Sequence, residues 1–239
     1  MDAGFAGEYL GTAVLMLLGI GTNANVTLAK SKAQGSDWTT ITSAWGFAVL
    51  CGVLVAVSLG APGHLNPAVT LGMAIAGHDF SHVAPYVAAQ MLGAFTGAAL
   101  VWLAYLPHWA ETPDPAAKLG VFSTSPAIRA PISNLVTEAI GAFALVIVVI
   151  AIGSKLVAMP GFLGPVVVGL LVWAIGNGLG GPTGYAINPA RDLGPRIAHA
   201  LLPIAGKGGS DWSYAWIPVV GPLIGGMVAV GVAGAFGMN

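Results

Sequence analysis

The chain carries Asn-Pro-Ala twice, at Asn66–Pro67–Ala68 in "GHLNPAVTLG" and at Asn188–Pro189–Ala190 in "GYAINPARDLG", 122 residues apart. Each copy heads an apolar piece, roughly 66–77 and 188–202, too short to cross a bilayer. Asparagine is a favoured N-cap and proline a favoured first helical residue, so each copy reads as a helix start. About 10–12 helical residues reach only about 15–18 Å. Two such half-helices meeting at their N-termini would cover a hydrocarbon core of about 30 Å. Each end would bring about half a positive charge to the midplane.

The rest of the chain supplies the membrane setting. Six apolar runs reach about the 20 residues that a spanning helix needs: roughly 5–26, 40–60, 83–106, 133–154, 162–180 and 215–236. With 56% hydrophobic and 7% charged residues, the composition is that of a polytopic membrane protein. The net charge of −1 argues against a nucleic-acid partner. The single cysteine, Cys51, excludes an intrachain disulfide and a cysteine-based metal site. The N-terminus lacks a basic stretch before its apolar run, so no cleaved signal peptide is expected.

The halves match. "EYLGT" at Glu8 answers "EAIGA" at Glu138, and each half reads span, span, short Asn-Pro-Ala helix, span. Three spans per half is an odd number, so the halves insert in opposite senses. The expectation is one channel domain built from inverted repeats, about 1–110 and 130–239, joined by a polar, Pro-rich loop 107–132. Such folds place the solute path at the repeat interface. Lys30, Lys32, Lys118, Arg129, Arg196 and Lys207 fall in joints on one side and Lys155 on the other. The positive-inside rule would put the first group in the cytoplasm.

Non-helical backbone at membrane depth survives only when buried in protein or lining a water-filled cavity. Pro62, Gly63 and His64, and Gly184, Tyr185 and Ala186, therefore read as carbonyl acceptors along a pore, with the amides of Asn66 and Asn188 as donors. Arg191 reads as an intramembrane cation facing a cavity. Asp192 suits the first turn of its helix and can pair with Arg196 at i+4. His78, Asp79 and His82 read as a solvated turn rather than a metal site. Trp102, Trp109, Trp173, Trp212 and Trp216 read as interface anchors.

These motifs resemble the aquaporin, or major intrinsic protein, superfamily: "HLNPAVT" and "NPARD" carry the resemblance, and the repeat pattern covers essentially the whole chain. The resemblance implies an all-α membrane fold with six tilted spans and two re-entrant half-helices, and one pore per subunit of a homotetramer. No cofactor or metal is expected. It places both termini in the cytoplasm, against the charge bias. It also implies that Glu8 and Glu138 hold the backbone of the Asn-Pro-Ala loops. Asp192 after Arg191, and Pro218–Val219 in the last span, resemble the glycerol facilitator branch, with a selectivity filter of Trp45, Gly176, Tyr185 and Arg191. "WSYAWIP" and "GPR" are similar to members from lactic-acid bacteria, some of which are thought to pass lactic acid. The function expected is passive conduction of small neutral solutes across the bilayer, chiefly glycerol with some water and with lactic acid or urea as further permeants; the alternatives are a channel for protonated lactic acid or a water-selective channel. A proton-coupled transporter would have only Glu8 and Glu138 to titrate, a closed junction protein would show no flux, and no nucleophile–base set suggests an enzyme.

Overall fold

The computed structural model describes residues 2–238. Among them ten α-helices follow one another: α1 (Ala3–Thr27), α2 (Trp38–Ser58), α3 (Pro67–Gly77), α4 (Val83–Ala104), α5 (Leu106–Glu111), α6 (Pro115–Phe122), α7 (Pro131–Gly153), α8 (Gly164–Leu179), α9 (Pro189–Leu201) and α10 (Ile217–Ala235). No strand occurs among the described residues. All six expected spans and both half-helices lie within two residues of the ranges read from the sequence.

Local chemistry explains the starts. Asp2, Asp37, Asp114, Asn66 and Asn188 each cap a helix by accepting a backbone N–H from the first turn. Proline sits in the first turn of α3, α6, α7, α8, α9 and α10, where its missing N–H costs nothing. Five helices, α1, α2, α4, α7 and α10, are long and apolar enough to cross a membrane. The sixth, α8, has 16 residues, or about 24 Å. A 3₁₀ turn at Gly161–Leu163 precedes it and extends it by about 6 Å.

Helices approach closely through glycine, as expected where lipid offers no hydrophobic drive for association. A Cβ at Gly225 of α10 would lie 2.1 Å from the Ala139 carbonyl oxygen of α7. Gly46 of α2 and Gly169 of α8 face each other's backbone in the same way, at 2.7 Å. The packing is crossed. α3 lies against α10, and α9 lies against α4, so each short helix is seated on the last long helix of the opposite half.

The loop 107–132 differs from expectation. It contains α5 and α6, because Asp114 caps and Pro115 opens a helix there. Trp109 stacks on Phe122 with ring centroids 5.5 Å apart, and its indole donates to the Trp102 carbonyl, so it is core rather than an interface anchor. Lys118, read as a loop cation, is buried and donates to the carbonyl of Ala205.

Candidate functional site

The two Asn-Pro-Ala segments meet at the centre. Asn66 Oδ1 accepts the Ala68 N–H at 2.8 Å, and Asn188 Oδ1 accepts those of Ala190 and Arg191 at 3.0 and 3.1 Å. Capping fixes the oxygen of each amide and turns the nitrogen away. Asn66 Nδ2 then donates to the Ile187 carbonyl, and Asn188 Nδ2 to the Leu65 carbonyl, both at 2.8 Å. Each nitrogen has two hydrogens. One is therefore committed to the opposite loop, and one per asparagine remains for a solute. From the sequence alone the whole NH₂ group reads as free.

Two buried carboxylates hold the loops. Glu8 accepts the N–H of His64 and of Leu65, each at 2.7 Å, one on each oxygen. Glu138 accepts those of Ala186 and Ile187 at 3.0 and 2.7 Å. Both glutamates are fully buried. Charge-assisted bonds of this kind are about twice as strong as neutral ones. They offset backbone strain: Leu65, Tyr185 and Ile187 take positive φ values of 51°, 40° and 45°, which cost of order 1 kcal/mol or more each. Gln90, which the sequence reading missed, donates to both Glu8 and Thr70.

Among the described residues no protein donor reaches the carbonyls of Pro62, Gly63, His64, Gly184, Tyr185 or Ala186, whereas those of Leu65 and Ile187 take the asparagine amides. All six residues line one cavity of about 280 Å³. Asn66, Asn188 and Arg191 face it too. Its other wall is apolar. Trp45, Val49, Val53 and Val57 of α2 face it at every fourth residue, a stripe about 18 Å long.

Arg191 lies with its guanidinium carbon 4.0 Å from the Trp45 ring centroid, while Nη1 donates to the Phe122 carbonyl at 3.0 Å. Trp45, Tyr185 and Arg191 face the cavity. Gly176 lies behind Tyr185: a Cβ there would be 2.8 Å from Cζ and 3.0 Å from Oη of that tyrosine. Gly176 thus makes room for the Tyr185 ring rather than forming a bare wall itself.

Asp192 reaches a different loop from the one held by the glutamates. Its Oδ2 accepts both the backbone N–H and the hydroxyl of Thr124 at 2.7 Å, and Oδ1 accepts Arg196 Nε at 2.8 Å. Arg196 in turn donates to the carbonyls of Ser210 and Thr124. The turn holding His78, Asp79 and His82 is exposed, and no group of three metal-binding side chains exists among the described residues.

Comparison with known proteins agrees with this geometry. The profile described as "Major intrinsic protein" matches residues 3–232. A probable glycerol uptake facilitator protein of Thermotoga maritima is 55% identical over 94% of this chain and 95% of its own length. Glycerol uptake facilitator protein 3 of Lactiplantibacillus plantarum is 57% identical over 92% of this chain and 91% of its own. The crystal structure of the aquaglyceroporin from Plasmodium falciparum superposes with a TM-score of 0.86 at 32% identity, covering 97% and 94% of the two chains. Capped half-helices meeting end to end, twin buried glutamates and near-complete coverage lead to one conclusion: the chain belongs to the major intrinsic protein family.

Proposed function

We propose that the chain is a passive channel for glycerol that also passes some water, working as a homotetramer with one pore per subunit. The carrying observation is the two-faced cavity. One edge offers six free carbonyls, one hydrogen from each asparagine and Arg191. The other is the valine stripe of α2. A polyol matches both, with hydroxyls along one edge and carbons along the other. Trp45, Tyr185 and Arg191 form the selectivity filter, and Gly176 seats the tyrosine. Cations are refused by Arg191 and by the positive ends of two helices. Glu8 and Glu138 are spent on loop N–H groups, which supports a channel over a proton-coupled carrier.

The repeats run about 1–110 and 130–239, with 107–132 as the joint. Matching roles at Glu8 and Glu138, and at Asn66 and Asn188, support this division. Both termini face the cytoplasm in this reading. The charge bias against it weakens once the cations are seen in place. Lys118 and Arg196 are buried, and Lys207 donates to the carbonyls of His199, Ala200 and Leu202 at the end of α9. Those three serve the fold rather than a membrane surface.

Stopped-flow uptake in proteoliposomes tests the function, with water, glycerol, urea and lactate at two pH values. Glycerol should enter much faster than into empty vesicles. Lactate should cross only as the neutral acid, falling about tenfold per pH unit well above its pKa, because the anion cannot shed its water cheaply. Water flux without glycerol flux would refute the polyol reading.

A further inference from the structure

We propose that Asn23, a buried amide of α1 outside the cavity wall, is a positioning residue that fixes the Trp45 indole and so sets the preference for glycerol over water. The proposal rests on the channel reading above. Trp45 donates Nε1–H to Asn23 Oδ1 at 3.0 Å, and Asn23 Nδ2 donates to the Val121 carbonyl at 3.2 Å. The next carbonyl, that of Phe122, receives Arg191 Nη1. One side chain thus bridges α1, α2 and the end of α6 at the residues that frame Arg191.

The indole has only one donor. With Nε1–H bound to Asn23, Trp45 lines the cavity without offering the solute a donor. The remaining contacts hold it there. Gly19, one helical turn before Asn23, seats the ring against α1, since a Cβ there would lie 2.6 Å from Cε3 and Cζ3. Arg191 covers the ring at 4.0 Å. Gly19 and Asn23 stand at i and i+4, so they share one helix face. They form a seat for Trp45, with Gly19 supplying the space and Asn23 the tie.

Replacing Asn23 by leucine keeps the branched outline, with somewhat larger tips, and removes both the acceptor for Trp45 and the donor to Val121. The indole N–H is then buried without a partner, and the accessible remedy is rotation toward the wet cavity. Rotation narrows the opening and gives the apolar wall a donor. Water tolerates both changes, whereas the carbon chain of glycerol tolerates neither.

Glycerol and water permeabilities should be measured by stopped flow in the same vesicles for the parent, Asn23→Leu, Asn23→Asp, Trp45→Phe and the Asn23→Leu/Trp45→Phe pair. The Asn23→Leu variant should lower the glycerol-to-water ratio by about fivefold or more, the consequence of orphaning one buried donor. Asn23→Asp keeps the acceptor for Trp45 but sets a second oxygen against the Val121 carbonyl, so it should lower the ratio by less than Asn23→Leu does. In the Trp45→Phe background there is no N–H to hold, so Asn23→Leu should shift the ratio by less than about twofold. An unchanged ratio in Asn23→Leu, or an equal shift in both backgrounds, would overturn the proposal. Failure of Asn23→Leu to assemble supports it if Trp45→Phe restores assembly, and overturns it if assembly stays lost. A parent that carries water but no glycerol refutes the polyol reading alone. The Asn23–Trp45 coupling is then read in the water flux, where the same dependence on background is required.

Discussion

Gly176→Ala adds one methyl group behind the Tyr185 ring. The new Cβ would stand 2.8 Å from Tyr185 Cζ and 2.8 Å from Thr42 Cγ2. Thr42 is tied by its hydroxyl to Asn177 Oδ1 at 2.9 Å and does not yield easily. Tyr185 Oη has no protein partner, so the ring is what moves. To reach an ordinary contact of 3.4 Å, Cζ must retreat by about 0.6 Å. Trp38 meets the same ring edge-on, with centroids 5.8 Å apart, and limits its escape on that side. The free direction is toward the cavity. Overpacking of this size costs about 1–3 kcal/mol. If passing glycerol must press the ring back against that strain, its permeability falls about 5- to 150-fold. Water needs less width and should lose much less. The assay is stopped-flow uptake of both solutes into one vesicle preparation, with oligomer content checked in detergent. Equal losses for the two solutes, or undiminished glycerol uptake, would show that Tyr185 does not set the width and would refute the reasoning. Gly176→His should go further in the same direction.

Other expectations follow from the centre of the molecule. Asn66→Ala and Asn188→Ala each remove a cap worth about 1 kcal/mol and leave a carbonyl of the opposite loop, Ile187 or Leu65, without its donor. Both should reduce glycerol flux to a similar extent, and parental flux in two well-folded variants would rule out the role given to these amides. Glu138→Gln replaces two acceptor oxygens by one and sets an NH₂ against the N–H of Ala186 or Ile187. A loss of about 1–3 kcal/mol is expected, read as a lower thermal midpoint in detergent together with reduced flux for both solutes. An unchanged midpoint would mean that the carboxylate does not hold the loop.

How far the sequence carried the reading depends on how local each signal is. The half-helices were legible because an Asn–Pro start needs only its own first turn. The spans were legible because apolar runs of about 20 residues have few other uses. The bonds from Asn66 to Ile187 and from Asn188 to Leu65 join residues more than 120 positions apart, and nothing in either motif names its partner. The loop 107–132 was misjudged because its polar and proline residues masked the Asp114–Pro115 helix start and the apolar surface of Trp109, Val121 and Phe122. Gly176 pointed to a missing side chain, but the ring that fills the space comes from Tyr185, after the turn that ends α8. Asn23 left a weak trace, as an amide inside an apolar span, whose meaning required seeing Trp45 beside it.

The crossed packing of α3 on α10 and α9 on α4 also has a consequence in time. A ribosome delivers Asn66 121 residues before Ile187. At about 5–20 residues per second that interval is about 6–24 s. Throughout it, α3 has no α10 to lie against, α4 shows a bare groove where α9 will sit, and the Asn66 amide has no opposite loop to reach. The first half is therefore an unfinished object during synthesis: a chain interrupted after α4 has Glu8 and Gln90 to hold its own loop, but neither of the asparagine bonds that join the two loops. Closure of the pore within a subunit waits for the second half, which performs it.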